Sequence, residues 1–164
     1  MANSKHYTNE YLPFAKEMAN DMVEQMKEFV SPLGLVINVL NDYDFSHKKW
    51  LAIYAKSMGG IKENRIDIAI NFEAIYRGLK KLGAETKKSE IDAQVGISVA
   101  HEVGHGIIDY LRSHKDKYNS DIAKSLIKLS KKDEEIEAER FGEYQFRIMT
   151  EVYESKINDF LATI

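Results

Sequence analysis

The stretch ISVAHEVGHGIIDYL, residues 97–111, decides the architecture that we predict for this chain. It carries His101 and His105, four residues apart, with Glu102 directly after the first histidine. Side chains at positions i and i+4 of an α-helix share one face, so both imidazoles can reach a single metal ion. A neighbouring apolar stripe predicts that this helix packs on a sheet, and its members are Ala93, Ile97, Ala100, Gly104, Ile107 and Leu111.

Three glycines in this helix indicate that another backbone or a substrate comes close to it. Gly96, Gly104 and Gly106 each lower the helix propensity by about 1 kcal/mol relative to alanine. We interpret Gly104 as a contact between the helix and a strand.

A catalytic zinc site needs a third protein ligand besides the two histidines, with a fourth position open for water. The chain has no cysteine, so every ligand must be a histidine or a carboxylate. The metzincin spacing is excluded, because Leu111 stands where that class has its third histidine. His114 lies nine residues beyond His105, and we interpret it as a surface residue.

The segment KKDEEIEAERFGEYQF, residues 131–146, offers carboxylates at the start of a second helix. Glu135 and Glu139 share a stripe with the apolar positions of that helix, and carboxylates there need a cation or a hydrogen-bond partner. We predict that Glu135 is the third metal ligand and that Glu139 binds a ligand histidine. Glu134, on the adjacent stripe, is the alternative ligand. The stripe continues through Gly142, Phe146, Met149 and Tyr153.

HEVGH followed by EIEAERFG resembles the gluzincin zinc metallopeptidases, which combine H-E-x-x-H with a glutamate from a second helix. The E-x-E-A-x-x-F form is similar to ImmA/IrrE-type and related minimal gluzincins, and the resemblance covers residues 89–147. It implies a zinc endopeptidase in which Glu135 is a ligand and Glu102 is the general base. Gly142 departs from the alanine common in that pattern.

The resemblance also implies where substrate and oxyanion would be held. An extended protein segment would pair with an edge strand, which the family pattern assigns to NRIDIAIN, residues 64–71. The oxyanion donor is commonly a tyrosine or a histidine in gluzincins. The candidates that the sequence offers are Tyr110, His114, Tyr144 and Tyr153.

The rest of the chain predicts a single α+β domain over residues 1–164, with a small antiparallel or mixed three-stranded sheet packed on the two motif helices in a zincin-like arrangement. Helical periodicity covers 13–30 and 72–83, and a helical piece is expected around 122–129. Strands are predicted within 33–40, 48–57 and 64–71, with short connections that favour an antiparallel meander. Ser89 with Asp92, and Ser130 with Asp133, resemble helix-start capping boxes.

The bulk composition sets the remaining expectations. The 164 residues carry a net charge of −3, which gives no reason to expect nucleic acid or an anionic membrane as a partner. The N-terminus lacks the apolar run of a secretory signal, so we expect a cytoplasmic protein that acts on a protein or peptide. The alternative is a regulatory binding protein that keeps a gluzincin fold and a metal with little or no turnover. A purely structural metal, or none, is the third reading.

Overall fold

The computed structural model describes residues 5–41, 43–54, 64–118 and 120–147, with side chains up to residue 142. The chain is mostly helical with one small sheet, which confirms the α+β class. A π-helical turn at Tyr7–Tyr11 precedes the regular elements. These are α1 (Leu12–Val30), β1 (Val36–Val39), β2 (Ala52–Tyr54), β3 (Arg65–Ile70), α2 (Phe72–Lys81), α3 (Lys88–Ser113), α4 (Asp121–Ile127) and α5 (Lys131–Arg147).

Helix α1 ends at Val30, as the apolar period predicts, and begins at Leu12, one residue before the predicted start. Pro13 lies in its first turn, directly after the π-helical turn, and proline is common at the start of an α-helix. A 3₁₀ turn at Ser31–Leu33 ends it, and Gly34 follows with a φ of 72°, a left-handed conformation that favours glycine. Its buried face consists of Ala15, Ala19, Met22, Val23, Met26 and Val30.

The sheet is mixed and has the order β1-β3-β2. Strands β1 and β3 are parallel, whereas β2 and β3 are antiparallel, so the predicted meander is wrong. The assignment of 64–71 to the substrate edge is also wrong, because β3 is the central strand. The physical reason is its burial on both faces: Ile66 and Ile68 on one face and Ala69 on the other are all fully inaccessible. A strand buried on both faces belongs inside the sheet.

Helix α3 is the central element, and α1, β2, β3, α4 and α5 all pack against it. Its two central glycines, Gly104 and Gly106, contact different neighbouring elements, because the two positions are about 200° apart around the helix. A Cβ added at Gly106 would lie 2.5 Å from Cγ2 of Ile66 in β3. One added at Gly104 would lie 3.2 Å from Phe141 and 3.5 Å from Ala138 in α5. The interpretation of Gly104 as a strand contact is therefore wrong, and at this position the predicted stripe meets α5 instead of the sheet.

Of the two predicted helix starts, the one at Ser130 has a side-chain cap. Ser130 Oγ accepts a hydrogen bond from the Asp133 backbone N–H at 3.1 Å and donates to the Asp133 carboxylate at 2.9 Å, directly before α5. The prediction for Ser89 is wrong, because α3 already begins at Lys88 and no side chain caps its first turn. Helices α2 and α4 confirm the predicted helical pieces, and Gly83 ends the turn after α2 with a φ of 65°. Within the described ranges, no helix has the length and apolar character needed to cross a bilayer.

Gly106→Ala should lower the free energy of unfolding, although alanine is the better helix former. The propensity gain is about 1 kcal/mol, whereas forcing a methyl group against Ile66 in a packed core costs about 1–3 kcal/mol. Gly78→Ala in α2 is the matched control, because a Cβ there meets nothing within 4 Å. It should stabilise by about 0.5–1 kcal/mol. Urea unfolding of both variants measures the contrast, and equal stabilisation by the two would contradict the packing described for α3.

Candidate metal centre

The two motif histidines and Glu135 bring three potential ligand atoms together between α3 and α5. The Nε2 atoms of His101 and His105 are 3.2 Å apart. Glu135 Oε1 lies 2.7 Å from His101 Nε2 and 3.1 Å from His105 Nε2. These three residues form a group that could hold a metal ion.

The spacing and chemistry of this group fit zinc. Tetrahedral ligands at 2.0–2.1 Å from zinc lie about 3.3 Å from one another. Two of the three distances between the ligand atoms, 3.1 and 3.2 Å, are close to that value, and the third, 2.7 Å, is shorter. Two imidazole nitrogens and one carboxylate oxygen are also a known catalytic zinc donor set. Burial acts to raise the pKa of Glu135, but attraction to His105 and hydrogen bonds from both histidines outweigh it and lower that pKa. Glu135 is therefore held as a carboxylate.

Glu139 reaches the other ring nitrogen of His101. Its Oε2 lies 2.9 Å from His101 Nδ1, at hydrogen-bond distance. When Nδ1 carries the proton and donates to Glu139, the Nε2 lone pair of His101 is free to bind a metal ion placed between Nε2, His105 and Glu135. The structure thus places Glu139 where the sequence predicts it, one helical turn after Glu135.

Glu134, the alternative third ligand, lies away from the converging atoms. Its Oε1 is 3.8 Å from His105 Nδ1, the ring nitrogen opposite the one that faces Glu135. The same oxygen accepts a hydrogen bond from Arg112 at 3.0 Å. The geometry therefore favours Glu135 over Glu134 as the third donor.

Glu102 lies beside the histidines and is tied to the sheet. Burial raises the pKa of its carboxyl, while His101, His105 and a hydrogen bond from the Tyr54 backbone N–H act to lower it. The Tyr54 hydroxyl donates to Asp109 Oδ2 at 2.7 Å in the interior, and burial raises the pKa of this phenol. Sequence reasoning missed Tyr54, because no local pattern within 48–57 indicates that its backbone N–H and its hydroxyl reach two residues of α3.

Two cavities flank β2 at this site. The larger, of about 960 Å³, lies between β2, α3 and the start of α5, and Glu102, His105 and Glu135 line it. The smaller, of about 240 Å³, is lined by His101, Glu102 and Glu139 among others. Trp50, Ala52 and Glu102 line both cavities, so the site opens on each side of β2.

Two of the four oxyanion candidates lie away from these cavities. The Tyr110 hydroxyl is 3.0 Å from the Tyr118 hydroxyl, and the Tyr110 side chain is buried. The His114 ring packs at a tilt against Tyr110 with ring centroids 4.3 Å apart, and His114 is half-buried rather than fully at the surface. Neither residue lines either cavity, so the structure does not bring them to the site. The Tyr144 side chain and Tyr153 lie outside the described part of the chain.

Gly142 allows α5 to approach α3 at the first histidine. A Cβ there would lie 2.9 Å from the backbone oxygen of Ile97 and 3.2 Å from the backbone nitrogen of His101. Backbone atoms cannot move aside as the end of a flexible side chain can. The closeness of α3 and α5 thus explains why this chain has glycine at position 142, where the gluzincin pattern commonly has alanine.

Comparison with known proteins gives no relative for this chain: it matches no family model, no curated protein and no solved structure. The site is therefore argued from its own residues and geometry.

Proposed function

We propose that the protein is a zinc-dependent endopeptidase that cleaves an extended protein segment. The observation that carries the proposal is the convergence of His101 Nε2, His105 Nε2 and Glu135 Oε1 within 2.7–3.2 Å of one another, with Glu102 next to them. In this proposal the three residues hold zinc, Glu139 orients His101, and Glu102 is the general base. A zinc ion bound there would polarise a scissile carbonyl and make an attacking water more acidic.

Glu102 can perform the proton transfers that peptide hydrolysis requires. Its carboxylate takes the proton of the attacking water and then gives it to the nitrogen of the leaving amine. Burial favours its protonated form and so increases its basicity, which suits a group that must accept a proton. The Tyr54 N–H holds the carboxylate beside the two histidines.

Among the strands that the structure describes, β2 is the edge on which an extended substrate would pair. The Leu51 carbonyl accepts from the Asn71 N–H at 2.7 Å, on the side facing β3. Because the direction of backbone groups alternates along a strand, those of Ala52 and Tyr54 point toward the opposite edge. The Tyr54 N–H meets Glu102 there, which places that edge beside the proposed base. A substrate strand added at Ala52 would carry its scissile bond past Glu102.

Proteolysis of a peptide library by the zinc-loaded protein tests the proposal. Mass spectrometry should detect new peptide termini that disappear after chelation and return with added zinc. A protein that binds zinc and peptides but generates no new termini would contradict the peptidase and favour the regulatory binding protein.

Trp50 should report substrate binding, because it is the single tryptophan of the chain and lines both cavities. Its side chain is 46% exposed, so a peptide on β2 should cover the indole and shift its emission to shorter wavelength. The measurement is a fluorescence titration of zinc-loaded Glu102→Gln protein with a peptide that the wild type cleaves. Binding detected by calorimetry without any change in emission would contradict the placement of substrate at β2.

A further inference from the structure

Glu134 is a buried carboxylate that the proposed reaction does not use. It is 9% exposed and directly precedes Glu135 in α5. Its Oε1 faces His105 Nδ1 at 3.8 Å and accepts from Arg112 Nη1 at 3.0 Å. Pairing with Arg112 offsets the cost of burying this carboxylate, and the same side chain lies behind the second histidine.

Arg112 fixes the position of Glu134. It lies two helical turns after His105 on α3, on the same face. Besides the bond to Glu134, its Nε donates to the Ile127 carbonyl at 3.2 Å and its Nη2 donates to the Leu129 carbonyl at 2.7 Å. One guanidinium therefore joins α3, the end of α4 and the start of α5.

We propose that Glu134, held by Arg112, is a positioning residue for His105, as Glu139 is for His101. This inference rests on the metal centre proposed above. A carboxylate behind a ligand histidine accepts from the Nδ1–H, which fixes the tautomer and aims the Nε2 lone pair. At 3.8 Å the two atoms are too far apart for a hydrogen bond, and an approach of about 1 Å brings them to the length of a charge-assisted bond. In this proposal the contact would shorten to a hydrogen bond when His105 holds a metal ion.

A purely structural role makes a different prediction. If Glu134 only neutralises Arg112, its replacement destabilises the fold and leaves the zinc affinity of the folded protein unchanged. If it positions His105, the zinc dissociation constant rises even where the variant is fully folded. The two quantities are measured separately, by thermal unfolding of the metal-free protein and by competition with a zinc chelator below the unfolding temperature.

The experiment compares wild type, Glu134→Ala and Glu134→Gln. Removing a residue that orients a ligand typically weakens metal binding about 10–100-fold, which is the loss expected for the alanine variant. The glutamine variant retains a carbonyl oxygen that can accept from Nδ1–H, so its loss should be smaller. It also keeps the shape of the side chain, and it carries the test if the alanine variant does not fold. Glu137→Gln is the control, because Glu137 pairs with Arg140 at 2.9 Å on the same helix, outside the group of three ligand atoms.

Each outcome decides the inference. Zinc affinity within about twofold of wild type in both folded Glu134 variants overturns it. A larger loss of zinc affinity in Glu134→Ala than in Glu134→Gln, with Glu137→Gln unchanged, supports it. This holds even if the protein cleaves no peptide, because only the peptidase proposal then fails. If the wild type itself binds no zinc, the metal centre and this inference fail together.

Discussion

Glu102→Gln should lower the rate of peptide cleavage by about 10²–10⁴-fold, the usual contribution of a general base. Glutamine has nearly the same shape, but its amide cannot take a proton from water. Its carbonyl oxygen can still accept from the Tyr54 N–H, so the local packing should be retained. Zinc binding should also be retained, since Glu102 is not one of the three convergent donors. Initial rates of cleavage and zinc content per chain are the two measurements.

Glu90→Gln is the control for this variant. Glu90 is an exposed acid in the first turn of the same helix, far from the histidines in sequence, and its replacement should leave the rate unchanged. Cleavage by Glu102→Gln at the wild-type rate would contradict the role of Glu102. Loss of zinc together with activity would show that Glu102 acts on the metal site and not as the base.

Glu135→Ala should lose zinc and, with it, all activity. Only two imidazoles would remain to hold the ion. Removing a residue that merely orients a ligand weakens metal binding by up to about 100-fold, so removing the ligand Glu135 should weaken zinc binding by more than that. The Glu135 side chain is 59% exposed, so its removal should barely change the stability of the metal-free protein. Zinc at about 1,000 times its dissociation constant stabilises the wild type by about 4 kcal/mol. The variant should lack this zinc-dependent increase in unfolding temperature.

Glu137→Gln also serves as the control for the ligand variant. It removes a carboxylate two residues further along α5 and should retain the full zinc-dependent increase. Differential scanning fluorimetry with and without zinc measures both proteins. An increase of wild-type size in Glu135→Ala would mean that Glu135 is not a ligand.

Much of the site is predictable because its pattern is local. The i, i+4 spacing of His101 and His105 needs only a helix, and the apolar period around them indicates one. Glu135 and Glu139 follow from the same reasoning on α5, where Ser130 marks the start of the helix. Each pattern lies within a few turns of a single helix, whereas the expectation that the two helices meet at one ion rests on the need of a zinc site for a third protein ligand.

The incorrect predictions concern contacts between distant segments. Connection lengths favour a meander, but the order β1-β3-β2 depends on which strand is buried on both faces. The alternation of Ile66, Ile68 and Ile70 marks one apolar face, and nothing local says that Ala69 is buried on the other. Likewise, periodicity finds Gly104 and Gly106 but cannot tell which faces α5 and which faces β3.

Anomalous diffraction at the zinc edge, from crystals of the zinc-loaded wild-type chain, tests the central claim most directly. We predict one zinc ion bonded at about 2.0–2.1 Å to His101 Nε2, His105 Nε2 and a Glu135 oxygen, with a fourth position open to solvent. Zinc-loaded crystals without an anomalous peak between α3 and α5, or with an ion there that Glu135 does not bind, would contradict it.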